Sequence, residues 1–129
     1  FAGSGTLGLE ALSRGAAHCL FVEQDREALD AIRANIATFE ARGRSRVEAM
    51  SVMQLRARTD PLDLILLDPP YKTGAGQVAL DRLLRLGWIG EATWMALETS
   101  VSEDPQIAGL EIETSRKVGK AKLTLLRLA

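Results

Sequence analysis

The chain carries a single cysteine, Cys19, among 129 residues, which excludes an internal disulfide and suits a reducing compartment such as the cytoplasm. No apolar run approaches the ~18 residues of a membrane span, and no signal-peptide pattern opens the chain. Neither charge sign dominates: 16 basic residues face 17 acidic ones, so no global basic field announces nucleic acid. There are no repeats and no low-complexity tract. Proline is scarce as well, with four in the chain, and there is one tyrosine. Two of those prolines and that tyrosine fall together in one tetrapeptide. What is abundant is apolar: 47% of the residues are hydrophobic, enough for a real core, and the length fits one domain over residues 1–129.

The tetrapeptide is Asp68-Pro69-Pro70-Tyr71, at the end of an apolar run. Two prolines fix φ near −65° and remove two backbone donors, leaving stiff carbonyls able to accept hydrogen bonds. Asp68 adds a charged acceptor, and Tyr71 adds a flat face on which a base could stack for ~1–3 kcal/mol. The combination suits a planar group that carries an amine. The plainer reading of the same residues is a strand-ending turn with a surface tyrosine.

A second motif stands at the start, Phe1-Ala2-Gly3-Ser4-Gly5-Thr6-Leu7-Gly8. Its G-x-G-x-x-G pattern runs into a helical one, and glycines allow positive φ and close approach of a ligand to the backbone. An acid is expected about 20 positions on, at the end of the second strand, to hold ribose hydroxyls. Glu23 occupies that position. The triplet and the acid together read as a site for an adenosine-containing cofactor.

Between and beyond these motifs, strand and helix alternate. Helices are expected over 7–13, from an Asp25 cap to about Arg42-Gly43, and over 77–86, with a helical turn at 52–55. Strands are expected over 18–22, 46–50, 62–67 and 94–98, the third as a fully buried parallel strand. Residues 110–115 and 120–128 alternate around Arg116-Lys117-Val118-Gly119 and read as a hairpin. The fold class is therefore α/β, a mainly parallel twisted sheet with a C-terminal antiparallel hairpin. A glycine loop of this kind normally follows a strand. Because this chain opens at Phe1, the first strand and an N-terminal part are expected to be missing from it.

The opening block through Ala16, Phe21-Val22-Glu23, Asn35, Asp68-Pro69-Pro70-Tyr71-Lys72 and Gly119-Lys120-Ala121-Lys122-Leu123 together resemble the bacterial 16S ribosomal RNA guanine-N2 methyltransferase family. That family belongs to the Rossmann-like, class I S-adenosylmethionine-dependent methyltransferases. The resemblance implies S-adenosyl-L-methionine as cofactor, bordered by Phe1, Gly3, Ser4, Gly5 and Gly8, with Glu23 on the ribose. It places Ser51 where such enzymes often carry an adenine-reading acid, a departure that leaves the backbone around Val52 as the other candidate. It also implies ribosomal RNA or a small-subunit assembly particle as partner, no metal, no membrane, and a cytoplasmic monomer. Asp-Pro-Pro-Tyr alone is shared with DNA adenine-N6 and cytosine-N4 methyltransferases.

The implied chemistry follows from the residues. An exocyclic amine is a poor nucleophile because its lone pair is delocalised into the ring. Asp68 and the Pro69 carbonyl can each accept one N–H, so that the nitrogen can become tetrahedral, and positioning of this kind lowers barriers by several kcal/mol. Tyr71 stacks on a base that is unpaired or flipped out, with Pro70 and Lys72 as further substrate contacts. His18 reads as structural, Cys19 as a buried small hydrophobe, and Trp88 and Trp94 as packing. Arg116, Lys117, Lys120, Lys122 and Arg127 form a candidate phosphate track or an ordinary charged hairpin. Three alternatives remain. A DNA amino-methyltransferase needs a target-recognition insertion that these loops are too short to hold. An NAD-binding oxidoreductase leaves Asp-Pro-Pro-Tyr unexplained. A non-catalytic RNA-binding module leaves the intact motif without a purpose.

Overall fold

The computed structural model describes all residues, 1–129. They form an α/β arrangement of two compact units, Phe1–Leu55 and Arg56–Ala129. No helix is long and apolar enough to cross a membrane.

In the first unit the order is α1 (Thr6–Ser13), β1 (Cys19–Glu23), α2 (Arg26–Thr38), a short 3-10 turn at Arg42–Arg44, β2 (Ser45–Ala49) and a second at Val52–Gln54. Strands β1 and β2 pair in parallel, with Phe21 opposite Val47 and Glu23 opposite Ala49. Helix α2 starts where expected, because the Asp25 carboxylate accepts from the Ala28 amide at 3.0 Å, a standard N-cap bond. Leu29, Ile32 and Ile36 recur at helical spacing and are buried. The helix stops sooner than its apolar spacing predicts. Phe39 continues the period but is 66% exposed, and residues 42–44 wind as a 3-10 turn instead. Leu12, Phe21, Ile32, Ile36 and Ala41 form this unit's core, with Cys19 and Val47 against it.

The second unit contains β3 (Leu64–Leu67), α3 (Ala75–Arg85), β4 (Trp94–Ser100), β5 (Leu110–Val118) and β6 (Ala121–Leu128). They make a mixed sheet in the order β3-β4-β6-β5, with β3 and β4 parallel and β6 antiparallel to both β4 and β5. The expected terminal hairpin is present as β5–β6. Its turn is tighter than predicted, however: Arg116 and Lys117 belong to β5, opposite Leu123 and Lys122. Strand β3 also departs from expectation. Ile65 and Leu67 are buried, but Leu64 is 47% exposed and Leu66 half-buried, so one face of the run is covered and the other only in part. On α3, Ala79, Leu80 and Leu83 are buried. The helix begins close to the sheet: a Cβ at Gly76 would lie 2.6 Å from Leu97 and 3.2 Å from Pro69.

Candidate functional site

The predicted residues form two clusters, one in each unit. In the first, the backbone from Phe1 to Gly5 is tied to the end of β1. The Phe1 amino group and the Ala2 amide both donate to the Val22 carbonyl, at 3.0 and 3.2 Å. Gly3 has φ 58°, and a Cβ there would meet nothing within 4 Å, so the turn needs glycine for its backbone and the space outside it is open. Gly5, at φ 86°, caps α1. The Asn35 side chain donates to the Ser4 carbonyl at 2.9 Å, which fixes the tip of the loop from α2.

Glu23 is buried, with its carboxylate turned into the loop. It accepts from the Gly3 amide at 2.8 Å and from the Gln24 and Asp25 amides at 2.9 Å each. Burial works against its ionisation, but the hydrogen bonds from Asp25, Gly3 and Gln24 outweigh that and hold its pKa below the ordinary carboxylate value. Hence the 20-residue separation of Gly3 and Glu23 has a structural basis: the acid closes the glycine loop. An ionised carboxylate has about four acceptor positions, so a further donor can still be taken. Gly8 is placed differently. A Cβ there would press into the Phe21 ring and lie 2.8 Å from the Cys19 sulfur, so this glycine lets α1 approach β1. Cys19 is only half-buried, and desolvation raises its thiol pKa to about 11.

Ser51 follows β2 and caps the 3-10 turn Val52–Gln54. Its hydroxyl accepts from the Met53 amide at 3.2 Å, and its own amide donates to Gln54 Oε1 at 3.0 Å. The hydroxyl proton remains available for a second bond, and Val52 is the first residue of the turn.

In the second cluster, Asp68, Pro69, Pro70, Tyr71 and Lys72 leave the C-terminal end of β3. Pro69 is buried and the other four are exposed, Tyr71 to 45%. Thr73 closes the segment by donating to the Pro70 carbonyl at 2.9 Å. Lys72 stands in the left-handed region at φ 58°, a conformation that costs a non-glycine residue about 1 kcal/mol or more. Glu103 helps hold it there. Its carboxylate accepts from the Ser100 amide at 2.7 Å and from the Lys72 amide, and its pKa is lowered by these bonds, the Ser100 bond foremost, and by the Lys72 charge.

A residue that sequence reasoning missed completes this cluster. Glu98, near the end of β4, is within hydrogen-bonding reach of the Asp68 carboxyl and of the Tyr71 hydroxyl. The Asp68 contact is the foremost reason that its pKa is raised. Desolvation, followed by the charges of Glu98, Asp68 and Glu103, likewise raises the Tyr71 phenol. Pro69, Pro70, Lys72, Glu98 and Glu103 line a cavity of about 260 Å³.

The remaining predictions divide. His18 is exposed just ahead of β1. Trp88 is packed as expected, 6% exposed, with its indole N–H on the Arg56 carbonyl at 2.8 Å. Trp94, by contrast, is 40% exposed and carries the Arg127 guanidinium 4.6 Å above its ring. The basic hairpin is not a continuous track. Lys122 is buried and paired with Asp104 at 3.0 Å, and Arg127 also donates to the Glu91 carbonyl at 2.8 Å. Arg116, Lys117 and Lys120 remain exposed.

The chain resembles known proteins along nearly its whole length. A family model described as "Conserved hypothetical protein 95" matches residues 1–127. The Escherichia coli K12 protein "Ribosomal RNA small subunit methyltransferase D" is 36% identical over 102 residues, 78% of this chain and 51% of that protein. The chain therefore spans about half the length of the curated relatives it matches. A solved "conserved hypothetical protein" from Streptococcus pyogenes superposes with TM-score 0.85 at 30% identity, covering 100% of this chain and 82% of that one. The ribosomal protein L11 methylase from Lactobacillus delbrueckii superposes with TM-score 0.76 at 18% identity, over 98% of this chain and 66% of that one. That likeness concerns the fold, which is the Rossmann-like one of class I methyltransferases.

Proposed function

Given that the chain belongs to the Conserved hypothetical protein 95 family, the family of RsmD-like methyltransferases, we propose that its protein is an S-adenosylmethionine-dependent enzyme that methylates guanine N2 in 16S ribosomal RNA. The observation that carries the reading is the Asp68-Pro69-Pro70-Tyr71 segment. It stands at the C-terminal end of a parallel strand, with the acid and the ring both exposed, in a relative of a small-subunit ribosomal RNA methyltransferase. The C-terminal ends of parallel strands are where open α/β sheets bind ligands.

The first unit fits the cofactor. The turn at Gly3 is open to an approaching ligand, Ser4 is exposed, and Glu23 is ionised and rigidly held, with capacity for a ribose hydroxyl. Phe1, Gly5 and Gly8 act through the shape of the loop and the seating of α1. Ser51 and Val52 would meet the adenine. S-adenosyl-L-methionine, when bound, supplies an electrophilic methyl group.

The rest of the chemistry belongs to the chain. Asp68 and the Pro69 carbonyl accept the two amine N–H groups, which orients the nitrogen lone pair. Tyr71 stacks on the extruded base, and Pro70 and Lys72 border it. Strong base action by Asp68 is unnecessary, because a methylated amine is acidic and releases its proton late.

The test is methylation of ribosomal RNA and of small-subunit particles by the full-length protein, with mass-spectrometric mapping of the product. A methyl group on guanine N2 is expected. A product at adenine N6, at cytosine N4 or in DNA would overturn the assignment of base or substrate.

A further inference from the structure

Strands β3 and β4 run parallel with Leu67 opposite Leu97, so the next residue of each stands beside the other, Asp68 just past the end of β3 and Glu98 still within β4. The two carboxyls are in hydrogen-bonding reach of one another. None of the ion pairs involves either of them. Two adjacent carboxyls without a cation repel one another when both are ionised, and the repulsion is relieved by a proton held between them, which is what raises the Glu98 pKa, or by a partner that brings adjacent N–H donors in its place. The Tyr71 hydroxyl donates to Glu98 and opposes part of the rise that Asp68 and burial impose on it, so N–H donors arriving at the pair would find Glu98 ready to accept.

The base edges differ in this respect. Guanine presents its ring N1–H beside the N2 amine, so its edge is donor next to donor. Adenine and cytosine present an amine beside an unprotonated ring nitrogen, donor next to acceptor. A carboxylate facing that ring nitrogen would meet a lone pair. We propose that Glu98 is the residue that selects guanine, its carboxylate accepting the ring N1–H while Asp68 accepts from the neighbouring amine. The assignment rests on the guanine-N2 reading above and adds the discrimination that Asp-Pro-Pro-Tyr alone does not provide.

The experiment uses the full-length protein and RNA in which the mapped target guanosine is replaced by 2-aminopurine riboside. That analogue keeps the amine but has an unprotonated N1. The ratio of kcat/KM for the analogue to that for guanosine is measured in the wild type, Glu98→Gln and Glu98→Ala, which cancels the intrinsic difference between the two amines. The wild type should disfavour the analogue. In Glu98→Gln the amide NH₂ can donate to the unprotonated N1, so the ratio should rise roughly tenfold or more, the scale of one hydrogen bond to a charged group. Glu98→Ala should raise it less. Calorimetry with S-adenosylhomocysteine should give unchanged affinity in both variants, which excludes misfolding as the cause. An equal loss on both substrates, including complete loss, would make Glu98 a support for Asp68 rather than a reader of the base, and would overturn the proposal. So would a wild type that prefers the analogue. If mapping places the wild-type methyl on another base, the guanine-N2 reading falls together with this one; if guanine N2 is methylated and the ratio does not move, only the role of Glu98 falls.

Discussion

Asp68 and Tyr71 share one short segment but perform separable tasks. Asp68→Ala removes an acceptor needed most as the amine becomes tetrahedral. It should lower kcat by ~100-fold or more while leaving S-adenosylhomocysteine affinity unchanged by calorimetry. Tyr71→Ala removes a stacking face and should cost roughly 5- to 150-fold in kcat/KM. Tyr71→Phe keeps the face and should retain most activity, losing only the contribution of the hydroxyl contact to Glu98. If Tyr71→Phe proves as damaging as Tyr71→Ala, the hydroxyl is the working part. Glu23 gives a prediction of another kind. Its pKa is lower in the folded chain than its ordinary value, so the stability it contributes is present above that ordinary value, near pH 4.5, and is lost as pH falls through the folded one. Glu23→Gln sets an amide NH₂ against backbone N–H groups and should destabilise by ~1–3 kcal/mol at pH 7. The gap between variant and wild type in urea melts should narrow below about pH 4. A gap independent of pH would remove ionised Glu23 as its source.

At the scale of elements, two glycines of one motif serve different ends. Gly8→Ala drives a methyl into Phe21 and Cys19 and should destabilise by ~1–3 kcal/mol through overpacking of α1 on β1. Gly3→Ala meets no atom and should cost only the ~1 kcal/mol of a left-handed alanine, read in the same denaturant titrations. Equal losses would mean that close approach is not what Gly8 provides. The alternation of strands and helices was legible because it rests on local periods and caps, of which Asp25 is the plainest. Features set by distant parts of the chain were not. The apolar period of α2 extends to Phe39, yet that residue is left mostly exposed. The run ending in Leu67 looks two-sided, yet Leu64 faces outward. Lys122 reads as one of several exposed cations until β6 places it beside Asp104. Glu98 escaped notice for the same reason. It follows the apolar residues of β4, and only the β3–β4 register brings it to Asp68. The signal available was an acid closing a strand-like run, which many strands share.

For the whole molecule, the cofactor class is the sharpest test. A ligand that binds only the folded state raises the unfolding free energy, by ~2.7 kcal/mol at 100 times its Kd. S-adenosylhomocysteine should therefore raise the Tm of the full-length protein by several degrees, and NAD should leave it unchanged. Stabilisation by NAD alone would move the protein to the oxidoreductases. The seating of Cys19 adds a means of timing motion. Its sulfur occupies the space that Gly8 leaves open, and with a pKa of about 11 only about one thiol in a thousand is a reactive thiolate at pH 8. Alkylation by iodoacetamide should then be slow while α1 is seated and faster when it lifts from β1 and the thiol is resolvated. Labelling of Cys19, located by peptide mass mapping, therefore has a slow background from the half-buried thiol, and any excess over it scales with the fraction of time that α1 stands off β1, so the labelling rate gauges how much of the time the glycine loop is undone.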